Sequence, residues 1–399
     1  MSKALSNGIA QATNASRLAR AKGYPYVRPS SSFLYLSGAP FTFDDAAWQG
    51  ANRVQDLAVT SPTGEQMRAG DAIRQLGIAW SPEEERTPVL AIGSNAGPEQ
   101  LLRKFPPDMF PRGVLVPCVR CMLTDFDVAF APLISSYGSC TATLEHSPGT
   151  TVETFVTFLT TTQLKRMHET EGAYYLNELT NLDLHVGLSL EAFREGKKGV
   201  EVLHTVYQYN HQSGTLHLPL HSGSCSPVAI KAIRAHMRRF PELDQMQMQR
   251  AVCAYVAAGG DRDLEDSDGA RIGGRAAPQD SAACDAASGQ ANAPHVGVRA
   301  QKQAEGKPGQ AAAALVHDLA ERADRRPASD NSGASGSALL HSGASIGDGE
   351  LDGWMLENLD QPEMRSKRVD VLTAAAKPIQ YSHAEVLMTI GNIYDRNVD

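Results

Sequence analysis

Residues 86–257 alternate strand-like and helix-like hydropathy, and on either side of them apolar residues are sparse. The strand-like runs are 89–92, 118–130, 139–144 and 152–159, rich in Val, Ile, Phe and Thr. Residues 160–170 follow with helical spacing: Leu164 and Met167 share a face, and Thr162 is the expected N-cap. Two further strands are expected at 183–186 and 202–209, the second closed by the turn His211-Gln212-Ser213-Gly214. After Pro227, the spacing of Val228, Ile230, Ile233, Met237 and Phe240 predicts a long helix. It resumes beyond Pro241 with Met246, Met248, Val252 and Val256.

The flanks read differently. Residues 1–23 carry no sustained apolar pattern and are expected to be disordered. Residues 24–85 hold isolated anchors (Tyr24, Tyr26, Phe33, Leu34, Tyr35, Phe41 and Trp48), and Pro25 and Pro29 keep their start extended, which predicts an arm wrapped around the domain. Between Ala257 and Gly353 there is no Phe, Trp or Tyr. Such a stretch buries too little apolar area to offset a backbone ordering cost of about 1–2 kcal/mol per residue. Residues 258–350 are therefore read as a disordered insertion, with 310–322 as a lone helical pattern. Structure is expected to resume with Leu351, Trp354, Leu356, Leu359, Met364, Val369 and Leu372, and the tail 351–399 to pack back on the domain.

Composition narrows the classes. The 399 residues carry a net charge of −8, so no basic field points to nucleic acid or an anionic membrane. No run approaches the length of a spanning helix. Six cysteines, at 118, 121, 140, 225, 253 and 284, form no framework and read as reduced thiols. The N-terminus lacks a secretory apolar core, which points to a cytoplasmic protein. Residues 1–43 contain no acid, however, and Lys3, Arg17, Arg20, Lys22 and Arg28 lie among Ser and Ala, the composition either of an organellar transit peptide or of a plain basic extension.

Among candidate chemical motifs, the sharpest is Val89-Leu90-Ala91-Ile92-Gly93-Ser94-Asn95, a strand breaking into a glycine turn before Pro98 opens a helix. Unpaired amides at such a turn suit an anion, and a simple turn accounts for it equally well. The Walker pattern is absent. Cys118-Val119-Arg120-Cys121 is a lone CxxC with apolar neighbours and reads as strand. His204, His211, His217 and His221 read as strand and turn histidines, since Pro219 breaks any helix that would pair them. His236, Arg238 and Arg239 are expected on the solvated side of the helix after Pro227. Gly343-Ala344-Ser345-Ile346-Gly347 matches a hydrolase elbow without its strand, and the acids from Asp261 to Asp268 miss the EF-hand ligand positions.

The loop and a second stretch together resemble the gamma-glutamylcyclotransferase-like (AIG2-like) family. That second stretch is Leu159-Thr160-Thr161-Thr162-Gln163-Leu164-Lys165-Arg166-Met167-His168-Glu169-Thr170-Glu171-Gly172, in which Glu171 falls on the family's catalytic glutamate and His168 on its usual Asp. Ile92-Gly93-Ser94-Asn95 is similar to the family's Tyr-Gly-Ser-Asn substrate loop, with Ile92 in place of tyrosine. Asp125-Phe126-Asp127, Thr141-Ala142-Thr143-Leu144 with Ser147-Pro148-Gly149, and Tyr207 resemble later family positions. The resemblance covers roughly residues 86–257. It implies an α/β (α+β) fold with a small mixed β-barrel and flanking helices. It further implies a small-molecule substrate held by Ile92, Gly93, Ser94, Asn95 and Tyr207, Glu171 as general acid/base, and no cofactor or metal. The implied reaction is intramolecular: the alpha-amine of a gamma-glutamyl compound attacks its own gamma-carbonyl, releasing 5-oxoproline and an amine. Two other readings stand beside it, a different acid–base reaction on a small amine-bearing carboxylic acid and a non-catalytic interaction module.

The composition of the insertion generates a first prediction. Replacing residues 260–348 with a short Gly-Ser linker leaves the chain soluble and its Tm within a few degrees, because closure entropy changes only by about 0.6 kcal/mol per doubling of loop length. Calorimetry of the two chains side by side measures this; an insoluble product or a Tm lower by tens of degrees contradicts it.

Overall fold

The architecture of this computed structural model, which describes residues 13–221, 224–259 and 346–389, follows from one long hairpin. The chain enters through a helix at residues 13–22 (α1) and four short strands: β1 (Phe33–Leu36), β2 (Ala39–Thr42), β3 (Ala58–Thr60) and β4 (Gln66–Arg68). Helix α2 (Ala69–Gln75) leads to β5 (Thr87–Leu90) and α3 (Pro98–Lys104). The hairpin itself is β6 (Leu115–Ile134) and β7 (Cys140–Leu159), each 20 residues long. Strands of this length do not stay flat. The β6–β7 register slips between Thr124 and Phe126 and again between Phe130 and Ile134, and such bulges bend a strand and increase its twist. At the first slip Asp125 takes a left-handed φ of 65°, and its carboxylate accepts from the Gly149 amide.

Next come α4 (Thr161–Glu169), β8 (Tyr174–Val186), α5 (Leu190–Arg194) and β9 (Glu201–His211). Five strands then close into a barrel. β5 pairs antiparallel with β7 and parallel with β9, β9 pairs with β8, β8 with β6, and β6 with β7. The fold is thus mixed α/β with a closed five-stranded barrel and flanking helices. After it lie β10 (Thr215–His221), β11 (Ser224–Pro227), β12 (Ala229–Ile230), β13 (Ala235–His236), β14 (Glu242–Leu243) and α6 (Gln245–Ala257). The described chain ends with α7 (Asp348–Asp360), α8 (Pro362–Ala374), β15 (Ala376–Lys377) and β16 (Ala384–Thr389). All of these elements belong to one compact unit.

Several expectations are corrected. Residues 13–22 are helical, not disordered: Ala21 is fully buried, and the Ser139 hydroxyl donates to its carbonyl. Residues 24–85 are not an outer arm. β1 pairs with β6, Phe33 facing Cys118 and Leu36 facing Leu115, and all four of its residues are buried. Its alternation feeds two cores. Phe33 and Tyr35 join Val89, Leu101, Phe105, Phe155 and Met167, whereas Leu34 and Leu36 join Val119, Val156, Leu184 and Val206. The expected helix after Pro227 starts only at Gln245. Before it, Ala229 pairs with Ala129, and Ala235 with Val152. Arg238, expected in solvent, instead donates twice to the buried Asp127, whose carboxyl is raised by burial and pulled back by that guanidinium. The N-cap of α4 is Thr160 rather than Thr162, in a capping box with Gln163.

The expected insertion lies, for residues 260–345, outside the described residues, as do the 310–322 pattern, the acids from Asp261 to Asp268 and most of the elbow match. Its far edge moves inward: Ile346 packs beside Leu351 and Met355, and Asp348 opens α7 and pairs with Arg250. The tail is tied down by three devices. Leu351, Met355 and Leu372 are buried, β15 pairs with β10, and β16 pairs with β8. Arg17 and Lys22 of α1 pair with Asp360 and Asp352 of α7. Met355→Ala, which empties a fully buried position beside Ala21 and Leu351, is expected to cost about 2–4 kcal/mol in urea unfolding. A loss below about 0.5 kcal/mol, the scale of a surface substitution, contradicts this packing.

Candidate functional site

Two chain turns leave the barrel side by side. β5 ends at Leu90; Ile92 and Gly93 follow, and residues 94–96 make a single 3-10 turn before Pro98 starts α3 as its first residue. Among the described residues, the Gly93, Ser94 and Asn95 amides donate to no protein acceptor. α4 ends at Glu169 with Thr170 as its C-cap, and the next turn delivers Glu171. That turn holds Ala173 at a left-handed φ of 67°, a conformation costing a non-glycine residue roughly 1–2 kcal/mol.

Both turns open on one cavity of about 330 Å³, at the small end of the range for small-molecule sites. Ile92, Gly93, Ser94, Asn95 and Glu171 all line it. Asn95 Nδ2 donates to Glu171 Oε1 at 2.7 Å, so the loop and the carboxylate are in direct contact. Lys104 Nζ, at the end of α3, reaches the same oxygen at 2.5 Å and donates to Thr170 Oγ1 at 2.9 Å. The lysine side chain is 4% exposed and that of Glu171 12%, so the pair is nearly dry and its two charges depend on each other. Glu171 Oε2 has no protein partner among the described residues. One carboxylate oxygen is therefore clamped, and the other keeps its hydrogen-bonding capacity unused among the described residues.

Tyr207 is placed elsewhere. The parallel register sets it opposite Val89, below the level at which the loop leaves the barrel, and its phenol interacts with Glu178. Tyr209, one alternation further along β9, lines the cavity in its place, with its hydroxyl 2.8 Å from His168 Nδ1. Burial lowers the His168 pKa and raises that of the Tyr209 phenol. Glu169 points away, 47% exposed and paired with Arg166. His211 and His217 are pushed down to about 4 by burial, which makes them neutral packing groups at pH 7. Cys118 and Cys121 are fully buried in β6, and no group of His, Cys, Asp and Glu among the described residues could hold a metal ion.

Among the lining residues that the sequence reading did not assign to the site are Lys104, Tyr24, Tyr209 and Arg365. Lys104 left a trace, since helical spacing puts it on the face of Leu101, where a lysine is out of place without a partner. Arg365 sits one heptad before the buried Leu372 and is itself buried, a similar trace. Tyr24, in Tyr24-Pro25-Tyr26, left none.

A closed barrel thus carries a clamped carboxylate beside free loop amides on the wall of one cavity. Compared with protein-family models, curated proteins and solved structures, the chain matches none. No helix among the described residues is long and apolar enough to cross a membrane.

The Lys104–Glu171 pair generates a prediction. Lys104→Met leaves Glu171 without its cation and is expected to cost about 2–4 kcal/mol of unfolding free energy. The double variant Lys104→Met/Glu171→Gln recovers about half of that, because no lone charge remains. Urea titration of the four proteins tests it; additive losses mean that the two side chains do not depend on each other.

Proposed function

We propose that the chain is a gamma-glutamylcyclotransferase-like enzyme that closes a gamma-glutamyl compound into 5-oxoproline and releases an amine or amino acid. The observation that carries this reading is the clamp on Glu171, a residue of the cavity wall: Asn95 of the loop and Lys104 grip Oε1, while Oε2 has no protein partner among the described residues. The resemblance of the Gly93–Asn95 loop and of Glu171 to the family motifs supports it independently of that geometry.

The substrate brings both reacting groups, so the protein has to fold it and move protons. In this reading the Gly93, Ser94 and Asn95 amides bind the alpha-carboxylate. The charged groups lining the cavity, Lys104, Arg365 and Glu171, suit an anionic ligand. Glu171 Oε2 takes a proton from the alpha-ammonium. The freed amine attacks the gamma-carbon, and the same oxygen returns the proton to the leaving nitrogen as the amide bond breaks. The surplus proton left on the ring nitrogen then passes by the same oxygen to the freed amine, which departs as an ammonium, leaving the lactam neutral and Glu171 a carboxylate again. Ile92 gives the loop an apolar side chain where the family has a phenol, which leaves the amide contacts unchanged.

Glu171→Gln keeps size and polarity and removes basicity. Turnover of a gamma-glutamyl dipeptide is expected to fall at least about 10²-fold with KM little changed, while Glu169→Gln stays near wild type. The neighbouring carboxylate controls for charge and stability. Equal losses at both positions remove Glu171 from the mechanism. A wild type that releases 5-oxoproline from no gamma-glutamyl amine, dipeptide or glutathione returns the chain to the binding-module reading.

A further inference from the structure

Tyr24 belongs to the N-terminal segment, outside every motif considered so far, yet its phenol lies in the cavity wall. The ring is 6% exposed, and its hydroxyl accepts a hydrogen bond from the Ala142 amide at 2.9 Å. The hydroxyl sits so close to Gly93 that a methyl group there would collide with it. The missing side chain at 93 is thus what admits the hydroxyl beside the loop amides.

The hydrogen-bond inventory of this hydroxyl is incomplete. A phenol carries one donor and accepts through its lone pairs. The Ala142 amide occupies the accepting side, and among the described residues the proton itself has no acceptor. Burial, with the nearby Glu171 carboxylate adding to it, raises the Tyr24 pKa far above its ordinary value, so the proton stays on at neutral pH. A buried donor left unmatched costs about 1–3 kcal/mol. Here it stands in the wall of the cavity that Glu171 also lines.

We propose that Tyr24 is a further catalytic residue of this site, donating its hydrogen bond to the gamma-carbonyl oxygen and stabilising the negative charge that grows there. This rests on the cyclotransferase reading. As the alpha-nitrogen bonds to the gamma-carbon, the carbonyl π pair moves onto oxygen, and the phenolic O–H meets it. When the C–N bond to the leaving amine breaks, that pair returns to reform the carbonyl of 5-oxoproline. The two protons that the alpha-nitrogen gives up on becoming a lactam N–H pass in turn through Glu171 to the leaving nitrogen, which departs as an ammonium. Tyr24 neither gains nor loses a proton over the cycle. Donors placed for a developing oxyanion are typically worth about 10²–10³-fold in kcat.

The test uses the full chain with gamma-glutamyl-alanine and Tyr24→Phe, which removes only the hydroxyl. The expected result is a kcat lower by about 10²–10³-fold, with KM and Tm close to wild type. A kcat within about threefold of wild type, or a loss confined to KM, overturns the assignment while an active wild type keeps the cyclotransferase reading intact. A wild type inactive on every gamma-glutamyl compound overturns that reading and the oxygen assigned to Tyr24 with it. Should the Phe variant fail to fold, 3-fluorotyrosine at position 24 keeps the ring and both hydrogen-bonding roles. A kcat shifted more than about twofold at constant KM then supports the proposal, and an unchanged kcat overturns it.

Discussion

The position of β5 between β7 and β9 is the constraint on which the site depends. This strand is only four residues long, yet it closes the barrel, antiparallel on one side and parallel on the other. The next strand, β6, runs in the same direction as β5, since both lie antiparallel to β7, so no tight turn can join them and the chain has to leave the barrel at Leu90 and cross over. That exit fixes the Gly93–Asn95 turn in space. It also explains why the turn keeps its amides unpaired: it has left one ladder and not yet entered a helix. The hairpin of β6 and β7 supplies the rest of the wall through Leu133, Thr141 and Ala142.

Clamping Glu171 is a second consequence of the same geometry. α3 begins where the loop ends, and its last residue, Lys104, comes back beneath α4 to the carboxylate. Arg166 of α4 in turn donates to the Lys104 carbonyl, which ties the two helix ends together. The charge in the cavity is therefore held by elements packed on the barrel rather than by a loop alone. Rigid support of this kind is what a proton-transferring carboxylate needs, because its reach is set by geometry before acidity.

Local signals were legible in the sequence, and distant pairings were not. The strands of the barrel, the helical run of α4, the turn after His211 and the apolar face of α7 were all written in short-range patterns, although the cap of α4 sits at Thr160, two residues before the one expected. The pairing of β1 with β6 joins residues some 80 positions apart, and nothing between Pro25 and Phe43 encodes which strand will receive it. Between Val228 and Phe240 the spacing fitted a helix, but Val228 and Ile230 also satisfy the period of a strand, and runs this short do not separate the two. At the site, the loop and Glu171 were found because each is a compact motif. Tyr207 was named from a motif, which gives no register; the parallel bridge at Val89 supplies it.

Segments from before and after the barrel meet at this cavity. Tyr24 enters beside Gly93, and Pro362 and Arg365 of α8 also line the wall. The ion pairs from Arg17 to Asp360 and from Lys22 to Asp352 draw the same two segments together. A growing polypeptide acquires Tyr24 early and Arg365 about 340 residues later, a wait of roughly 20–70 s at ordinary synthesis rates. The barrel strands all emerge well before that. The nascent protein can thus hold all its barrel strands with an unfinished pocket, whose wall is completed only as α8 leaves the ribosome.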